Sequence, residues 1–314
     1  MESMSSGHPL LEMEGVIGIK YNLIKQIGRG SFGSVYLGQH KRSGEFVAIK
    51  CEDKGSKNRL LKHETLIYRD LKGPPSAGII NVRWFGVDVN HTYAVLDLLG
   101  KSLEDIFNSS GVFSLKSTLN VAIQLIDRME YIHNKGYIHR DIKPENFMFG
   151  KSGISKEILH VIDFGLSRGY MVKNSHMCFK TGKKMIGTPR YASLNMHDGC
   201  EPSRRDDLIS IGYMLIYLHN GSLPWQGQRG KTKQEKYENI SNIKKLILVK
   251  TLCEKLPKEF VSYIEYCYDL SFEEKPNYEL LRRLFQSILT RDDLTNGREY
   301  GHNLTTYSSI NCAN

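Results

Sequence analysis

Strand-like alternation with one helical stripe marks the early part of the chain, and helical spacing dominates the rest. Around "SVYLGQHKRSGEFVAIK", β-branched and aromatic residues flank a Ser43-Gly44 turn and resume at Val47-Ala48-Ile49, which predicts an antiparallel hairpin. In "NRLLKHETLIYRDLKGPP", Leu60, Ile67, Tyr68 and Leu71 form one helical stripe closed by Gly73-Pro74-Pro75. "TYAVLDLLGKSLEDIF" reads as a strand, a crossover and a helix. "STLNVAIQLIDRMEYIHNKG" has helical spacing through Ala122, Ile126, Met129 and Ile132 or His133, and stops at Gly136. From Asp206 to His219 the chain is apolar on nearly all sides, which predicts a helix buried inside the larger part. The pattern predicts an α+β chain, with residues 1–20 an N-terminal extension and 291–314 a short polar tail.

Two features of the strand region carry chemistry. "IGRGSFGSVYLG" spaces Gly28, Gly30 and Gly33 as a phosphate-binding loop would. A dinucleotide site needs such glycines to open a helix. Here a hairpin follows, so the glycines instead form a flap whose backbone N–H groups can lie over phosphates. Glu64 sits on the apolar stripe of the predicted helix. A carboxylate on a buried face needs a cation, and Lys50, at the end of the second hairpin strand, is the obvious one. The alternative is a Glu64 at the edge of the stripe, in solvent.

Charge and cysteine content narrow the setting. Forty-three Lys and Arg against 34 Asp and Glu give +9, which suggests an acidic or phosphorylated partner. The cations are dispersed, with short clusters only at Lys183-Lys184 and Lys244-Lys245. That argues against nucleic acid, which calls for a concentrated basic stripe. Six cysteines without a close pair fit reduced thiols in cytosol or nucleus. The chain reads without a signal peptide or an apolar run long enough to span a bilayer. A soluble, intracellular protein is expected.

"YIHRDIKPENFMFG" (Tyr137 to Gly150) and "LHVIDFGLSR" (Leu159 to Arg168) then join the glycine flap, Lys50 and Glu64 in order along the chain. The set resembles the eukaryotic protein-kinase fold, which implies a small strand-rich lobe (21–99), a larger helical lobe (100–290), and ATP bound between them. The resemblance implies roles residue by residue. Gly28, Gly30 and Gly33, with Ser31 and Phe32 at the tip of the flap, approach the phosphates. Lys50, held by Glu64, contacts the α- and β-phosphates. Asn146 and Asp163 offer oxygen ligands to Mg²⁺. Asp141 accepts the proton of the incoming hydroxyl. Lys143 matches the serine/threonine version of the loop and offsets charge on the γ-phosphate. Leu96 guards the back of the adenine pocket, Asp97 to Leu99 offer backbone groups to adenine, and Ile27, Val35, Ala48 and Met148 sandwich the ring. Asp207 ties back to the loop around Asp141 through backbone N–H groups.

Where most kinases have Ala-Pro-Glu, this chain has Ser193-Leu194-Asn195, inside "GTPRYASLNMHDGCEPSRRDDLISIGYMLIYLHNGSLPWQG". With "HRDIKPENF", "RRDDL" and "KYENISNIKK", this looks like the casein kinase I family over about Tyr21 to Leu289. Lys101, Glu145 and Pro189 depart from the family pattern without removing a catalytic group. Glu235 interrupts a basic stretch linked to nuclear entry. The resemblance implies a monomeric serine/threonine kinase of cytoplasm, with a nuclear share, favouring acidic or pre-phosphorylated protein substrates. Arg168, Lys183, Arg190 and Arg229 are expected to gather around the substrate's anion. The basic segment from Gly169 to Gly187 has no clear phosphosite opposite Arg140, so activity without activation-loop phosphorylation is expected. The competing readings are a pseudokinase scaffold, which the intact lysine and two aspartates disfavour, and a small-molecule kinase, which Lys143 and "GTPRYAS" disfavour.

Overall fold

A computed structural model of the protein describes residues 16–30, 33–56, 59–173 and 175–295. The expected extension before residue 16, Ser31 and Phe32 of the flap, and the tail beyond 295 lie outside the described residues. The chain divides into two units, residues 1–66 with 81–98, and residues 67–80 with 99–314.

The smaller unit is built on one antiparallel sheet. Its strands are β1 (Val16–Ile17), β2 (Tyr21–Gly30), β3 (Gly33–His40), β4 (Phe46–Asp53), β5 (Val82–Val87) and β6 (His91–Asp97), in the order β1-β2-β3-β4-β6-β5. Because side chains alternate across a strand, register decides which face each occupies. The pairs Tyr36↔Ile49, Ile49↔Val95 and Cys51↔Tyr93 fall on one face and join Ile17, Tyr21 and Val47 in an apolar cluster. The pairs Val35↔Lys50, Lys50↔Ala94 and Ala48↔Leu96 put their side chains on the other face. Lys50 therefore lies within β4, which runs on to Asp53, rather than ending it. Gly33 permits the tight approach of β3 to β4: its φ is +146°, and a methyl there would sit 2.2 Å from the Cys51 carbonyl.

Helix α1 (Leu61–Asp70) starts one residue later than the apolar stripe predicts. Leu60 stands before it, half-buried, and Leu61 is the fully buried leucine of the first turn. The cause is Glu52 on β4. Its buried carboxylate accepts the N–H groups of Leu60 (2.6 Å) and Leu61 (3.1 Å), two donors that a helix start leaves unpaired.

The larger unit takes in the end of α1 from Ile67 and the turn through Ile80, which the sequence pattern groups with the strands. Long-range contacts explain this: the Tyr131 hydroxyl donates to Leu71 O (3.0 Å), Arg128 Nη1 to Ser76 O (2.6 Å), and Ile79 bridges Val161. Its described helices are α2 (Leu103–Ser110), α3 (Leu115–Asn134), α4 (Leu194–His197), α5 (Arg204–Asn220), α6 (Lys233–Leu246), α7 (Val249–Leu252), α8 (Lys258–Asp269) and α9 (Tyr278–Thr295). Strands β7 (Leu99–Ser102), β9 (Phe147–Gly150) and β10 (Leu159–Val161) form a small antiparallel sheet, and β8 (Tyr137–Ile138) pairs with β11 (Arg168–Gly169). Helix α5 is buried on all sides, as its uninterrupted apolar sequence predicts, and α3 buries the face carrying Ala122, Ile126, Met129, Ile132 and His133. No described helix is long and apolar enough to cross a membrane.

Candidate active site

In the smaller unit the buried carboxylate has its cation. Lys50 Nζ lies 2.7 Å from Glu64 Oε2, with Glu64 2% exposed. Lys50 and Glu52 stand two apart on β4, so they share a face. One holds the first turn of α1 through Glu64, and the other holds its leading N–H groups. Val35, Ala48 and Leu96 stand beside Lys50 on that face by register. Ile27 sits at a bulge between Gln26 and Gly28 and is half-exposed. Asp97 is engaged internally: its carboxylate meets Arg83 Nε at 2.6 Å and Asn81 at 2.9 Å. Neither Gly28 nor Gly30 has a fold-internal need for glycine. A methyl at Gly28 would make ordinary contact with Val35, and one at Gly30 would meet nothing within 4 Å. The space they leave is what a backbone-held ligand would use. Leu99 and Met148 belong to the other unit, Leu99 opposite Gly150 and Met148 opposite Ser102 across β7 and β9.

In the larger unit the loop from His139 to Asn146 is organised from the start of α5. Asp207, 2% exposed, accepts the backbone N–H of His139 (2.7 Å) and of Arg140 (2.8 Å), as the sequence predicts. His133 Nε2–H donates to the same carboxylate at 3.0 Å, and its Nδ1 accepts from the Tyr278 hydroxyl at 2.7 Å. Burial pulls the His133 imidazole well toward its neutral form. Burial disfavours the Asp207 carboxylate as well, but the His133 N–H and the backbone N–H groups outweigh it and hold the group below the usual carboxylate range. Arg140 adopts the left-handed conformation, with φ 69°. Its Nε donates to Leu166 O at 2.7 Å.

Asp141 follows, 5% exposed and held on both oxygens. The Thr188 hydroxyl donates to Oδ1 and Lys143 Nζ to Oδ2, each at 2.8 Å or less. Burial disfavours the Lys143 ammonium, but the charges of Asp141, Asp163 and Glu145 prevail and hold its pKa above that of an ordinary lysine. Asn146 Nδ2 donates to the Asp141 carbonyl at 2.8 Å and lies 3.4 Å from its Oδ2, so both neighbours of that atom are acceptors. The amide oxygen must then point the other way, available as a hard ligand. Asp163, after β10, takes φ 64° and donates its N–H to the Tyr68 hydroxyl (3.1 Å), while Phe164 beneath it is buried against Tyr68 and His139. A carboxylate and an amide oxygen suit Mg²⁺, which binds through one or two such groups plus water and phosphate. Among the described residues no cluster of three or more His, Cys, Asp or Glu offers a self-sufficient metal cage.

The segment after Lys183 is pinned down by side chains for which sequence reasoning proposed no role. Ser193 Oγ donates to Asp206 Oδ1 at 2.5 Å, and Asn195 Nδ2 donates to the same oxygen at 3.0 Å. Asp206 and Asp207 are adjacent at the start of α5 and serve different segments. The four cations expected to gather around an anion do not form one group. Arg168 and Lys183 meet the buried Glu201 at 2.8 and 3.2 Å, and Arg140 lies 3.9 Å from the same carboxylate. These four residues line a cavity of about 290 Å³ that neither Arg190 nor Arg229 borders. Arg190 lies over the Tyr217 and Tyr191 rings, at 5.3 and 5.7 Å, and Arg229 is exposed. Arg190 is held by the ring of its neighbour Tyr191 and by that of Tyr217 on α5, and no spacing in the sequence signals the second. Thr188 and Glu52 were legible in principle: Thr188 lies inside the quoted "GTPRYAS", and Glu52 stands two residues beyond Lys50 on one strand.

Compared with known families, residues 21–291 match the model of the protein kinase domain.

Proposed function

Since the chain belongs to the protein kinase family and is therefore an enzyme of phosphoryl transfer to proteins, we propose that it acts on serine and threonine hydroxyls, with ATP as donor and Asp141 as the base. The observation that carries this reading is the setting of Asp141, held on one oxygen by Thr188 and on the other by Lys143. Phosphoryl transfer asks a protein mainly to position groups and neutralise charge. Asp141 takes the proton of the acceptor hydroxyl as that oxygen bonds to the γ-phosphorus, and ADP leaves with the electron pair of the broken P–O bond. Each carboxylate oxygen has a second lone pair for this. Lys143, held protonated at neutral pH by its carboxylate neighbours, offsets charge on the transferred group. Lys50, aimed by Glu64, grips the α- and β-phosphates, and Gly28 and Gly30 leave room for the backbone to approach them. Val35, Ala48 and Leu96 offer apolar surface to adenine. Asn146 and Asp163 would hold Mg²⁺, which when bound draws charge from the phosphate oxygens.

The finer identity we infer is that of a casein kinase I-like enzyme, monomeric, in cytosol and in part the nucleus. Ser193 and Asn195, of the Ser-Leu-Asn that replaces Ala-Pro-Glu, both bond Asp206, which gives that motif a physical job. Arg140, Arg168, Lys183 and Lys184 outnumber Glu201 in their cavity and leave three positive charges for an acidic or phosphorylated group on the substrate. Arg140 already has Leu166 O and Glu201 as partners within the fold, which supports activity without phosphorylation of the segment before Gly187.

A peptide library with ATP and Mg²⁺, using phosphatase-treated protein from bacteria and Asp141→Asn as control, tests both levels. Phosphoserine and phosphothreonine products that vanish in the control are expected, with higher kcat/KM for peptides carrying an upstream phosphate. No phosphorylation by the wild type would favour the pseudokinase reading. Equal kcat/KM for phosphorylated and unphosphorylated peptides would remove the anion preference alone.

A further inference from the structure

Lys244, in α6, is a lysine where the fold has little reason to keep one. It is 3% exposed, and among the described residues no carboxylate lies within ion-pair reach of it. Burying an unpaired amine is costly, and an apolar residue of the same length would fill the space at no such cost. What Lys244 does have is two backbone acceptors. Its Nζ donates to Pro189 O at 2.9 Å and to Ala192 O at 2.5 Å. The rings of Tyr213 and Trp225 face it, each with its centroid 4.9 Å away, and His197 Nε2 lies at 3.3 Å. Trp225 adds a third grip on the same stretch, since its Nε1–H donates to Arg190 O at 2.7 Å. Three carbonyls in four residues are thus each taken by a side-chain N–H from another part of the chain.

The clamped stretch begins where Asp141 is touched. Thr188 immediately precedes Pro189, and its hydroxyl donates to Asp141 Oδ1. Gly187, with φ +72°, runs so close to the loop that a methyl there would lie 2.5 Å from Arg140 O. The hydroxyl on Asp141 is therefore only as well placed as the backbone that carries it, and that backbone is held by Lys244 and Trp225. We propose that Lys244, seconded by Trp225, is a positioning residue for phosphoryl transfer, fixing residues 187–192 so that Thr188 orients the Asp141 carboxylate. It acts through Thr188 and does not touch the reacting atoms. The proposal rests on the reading of Asp141 as the base. A base displaced by a fraction of an ångström loses much of its effect, since misplacement by about 1 Å can cost a hundredfold in rate.

The test is a double-mutant cycle in steady-state peptide phosphorylation. Lys244→Met keeps the length and apolar body of the side chain but removes its donors. Thr188→Val removes the hydroxyl on Asp141. Each single variant is expected to lower kcat at least tenfold with KM for ATP within twofold of wild type, and the double variant to be no slower than the worse single one. A purely structural lysine would instead lower the thermal midpoint and the active fraction, and its loss would multiply with that of Thr188→Val. Wild-type kcat in folded Lys244→Met, or multiplicative losses in the cycle, overturns the proposal. Should Lys244→Met not fold, Trp225→Phe, which deletes the donor on Arg190 O but keeps a ring, replaces it in the same cycle with the same criteria. Asp141→Asn runs alongside: retained activity there would sink the reading of Asp141 and this proposal with it, whereas a dead control beside an unaffected Lys244→Met sinks this proposal alone.

Discussion

Replacing Asp207 by asparagine isolates the contact that holds the loop carrying Asp141. The aspartate accepts Arg140 N–H on Oδ1 and both His139 N–H and His133 Nε2–H on Oδ2. Asparagine offers one oxygen and one NH₂. The better of its two orientations keeps the oxygen toward His139 and His133 and turns the NH₂ group on Arg140 N–H, donor against donor. One charge-assisted hydrogen bond is lost and two become neutral, at about 1.5–3 kcal/mol for each charged bond. A buried N–H is stranded besides, so the total is about 3–5 kcal/mol. Against the stability of an ordinary domain, about 5–15 kcal/mol, that is a fifth or more, so the variant is expected to fold when cold but with a visibly earlier urea transition. The local effect exceeds the global one. Arg140 is held at φ 69°, a conformation that costs about 1–3 kcal/mol and persists only where its surroundings impose it. Without the acceptor on its N–H, Arg140 relaxes and Asp141 moves with it, so kcat should fall at least a hundredfold while KM for ATP changes little. Urea unfolding and steady-state kinetics on the same preparation read both effects. A stability loss below about 1 kcal/mol together with near-wild-type kcat would refute the reasoning.

Three further outcomes are expected. Glu52→Ala strands the N–H groups of Leu60 and Leu61, so hydrogen exchange at the start of α1 should quicken and KM for ATP rise several-fold as Glu64 loses its seat; Glu52→Gln, which keeps an oxygen, should recover most of both, and wild-type behaviour of Glu52→Ala would discard the idea. The second concerns acid. Burial, then the neighbouring Lys244 charge, pull His197 down to about 4, so below about pH 6.5 the unfolded chain binds a proton that the folded one refuses. Stability should therefore fall with pH by about 1.4 kcal/mol per unit across that window, with the buried His133 adding loss of the same sign, and His197→Gln should flatten the slope; equal slopes in urea titrations from pH 7 to 5 would exclude His197 as a cause. Third, Arg168→Ala combined with Lys183→Ala should raise KM for an acidic or phosphorylated peptide about tenfold and leave a neutral peptide unaffected. A uniform change for both peptides would count against the cavity as the anion's seat.

Local rules carried much of the fold and part of the site. Strand alternation and the helical stripe located β3, β4 and α1, and the misfit of Glu64 on that stripe correctly pointed to Lys50, because a buried carboxylate leaves few alternatives. The same reasoning anticipated Asp207 at the start of a buried helix. What escaped depends on partners remote in the chain. Helix α1 begins at Leu61 because Glu52 reaches its N–H groups, and apolar spacing alone cannot tell Leu60 from Leu61. Residues 67–80 join the helical unit through Arg128, Tyr131 and Val161, all more than fifty positions downstream. Arg190 and Arg168 look alike as isolated cations, yet one meets aromatic rings and the other a buried glutamate. Lys244 reads as half of a solvated Lys-Lys pair, when only its neighbour Lys245 is exposed.

The neighbouring aspartates that open α5 bear on how this protein can be rebuilt. Successive helical residues point about 100° apart, so Asp206 and Asp207 necessarily look in different directions. One faces Ser193 and Asn195, the other the backbone of His139 and Arg140. Shifting the helix register by a single residue would carry one aspartate into the other's place and put Arg205 or Leu208 where the second had been, so one of the two attachments would lose its carboxylate. A chimera that imports a foreign stretch in place of 187–197 must therefore bring a compatible opening turn of α5 with it, or lose the loop it never meant to alter.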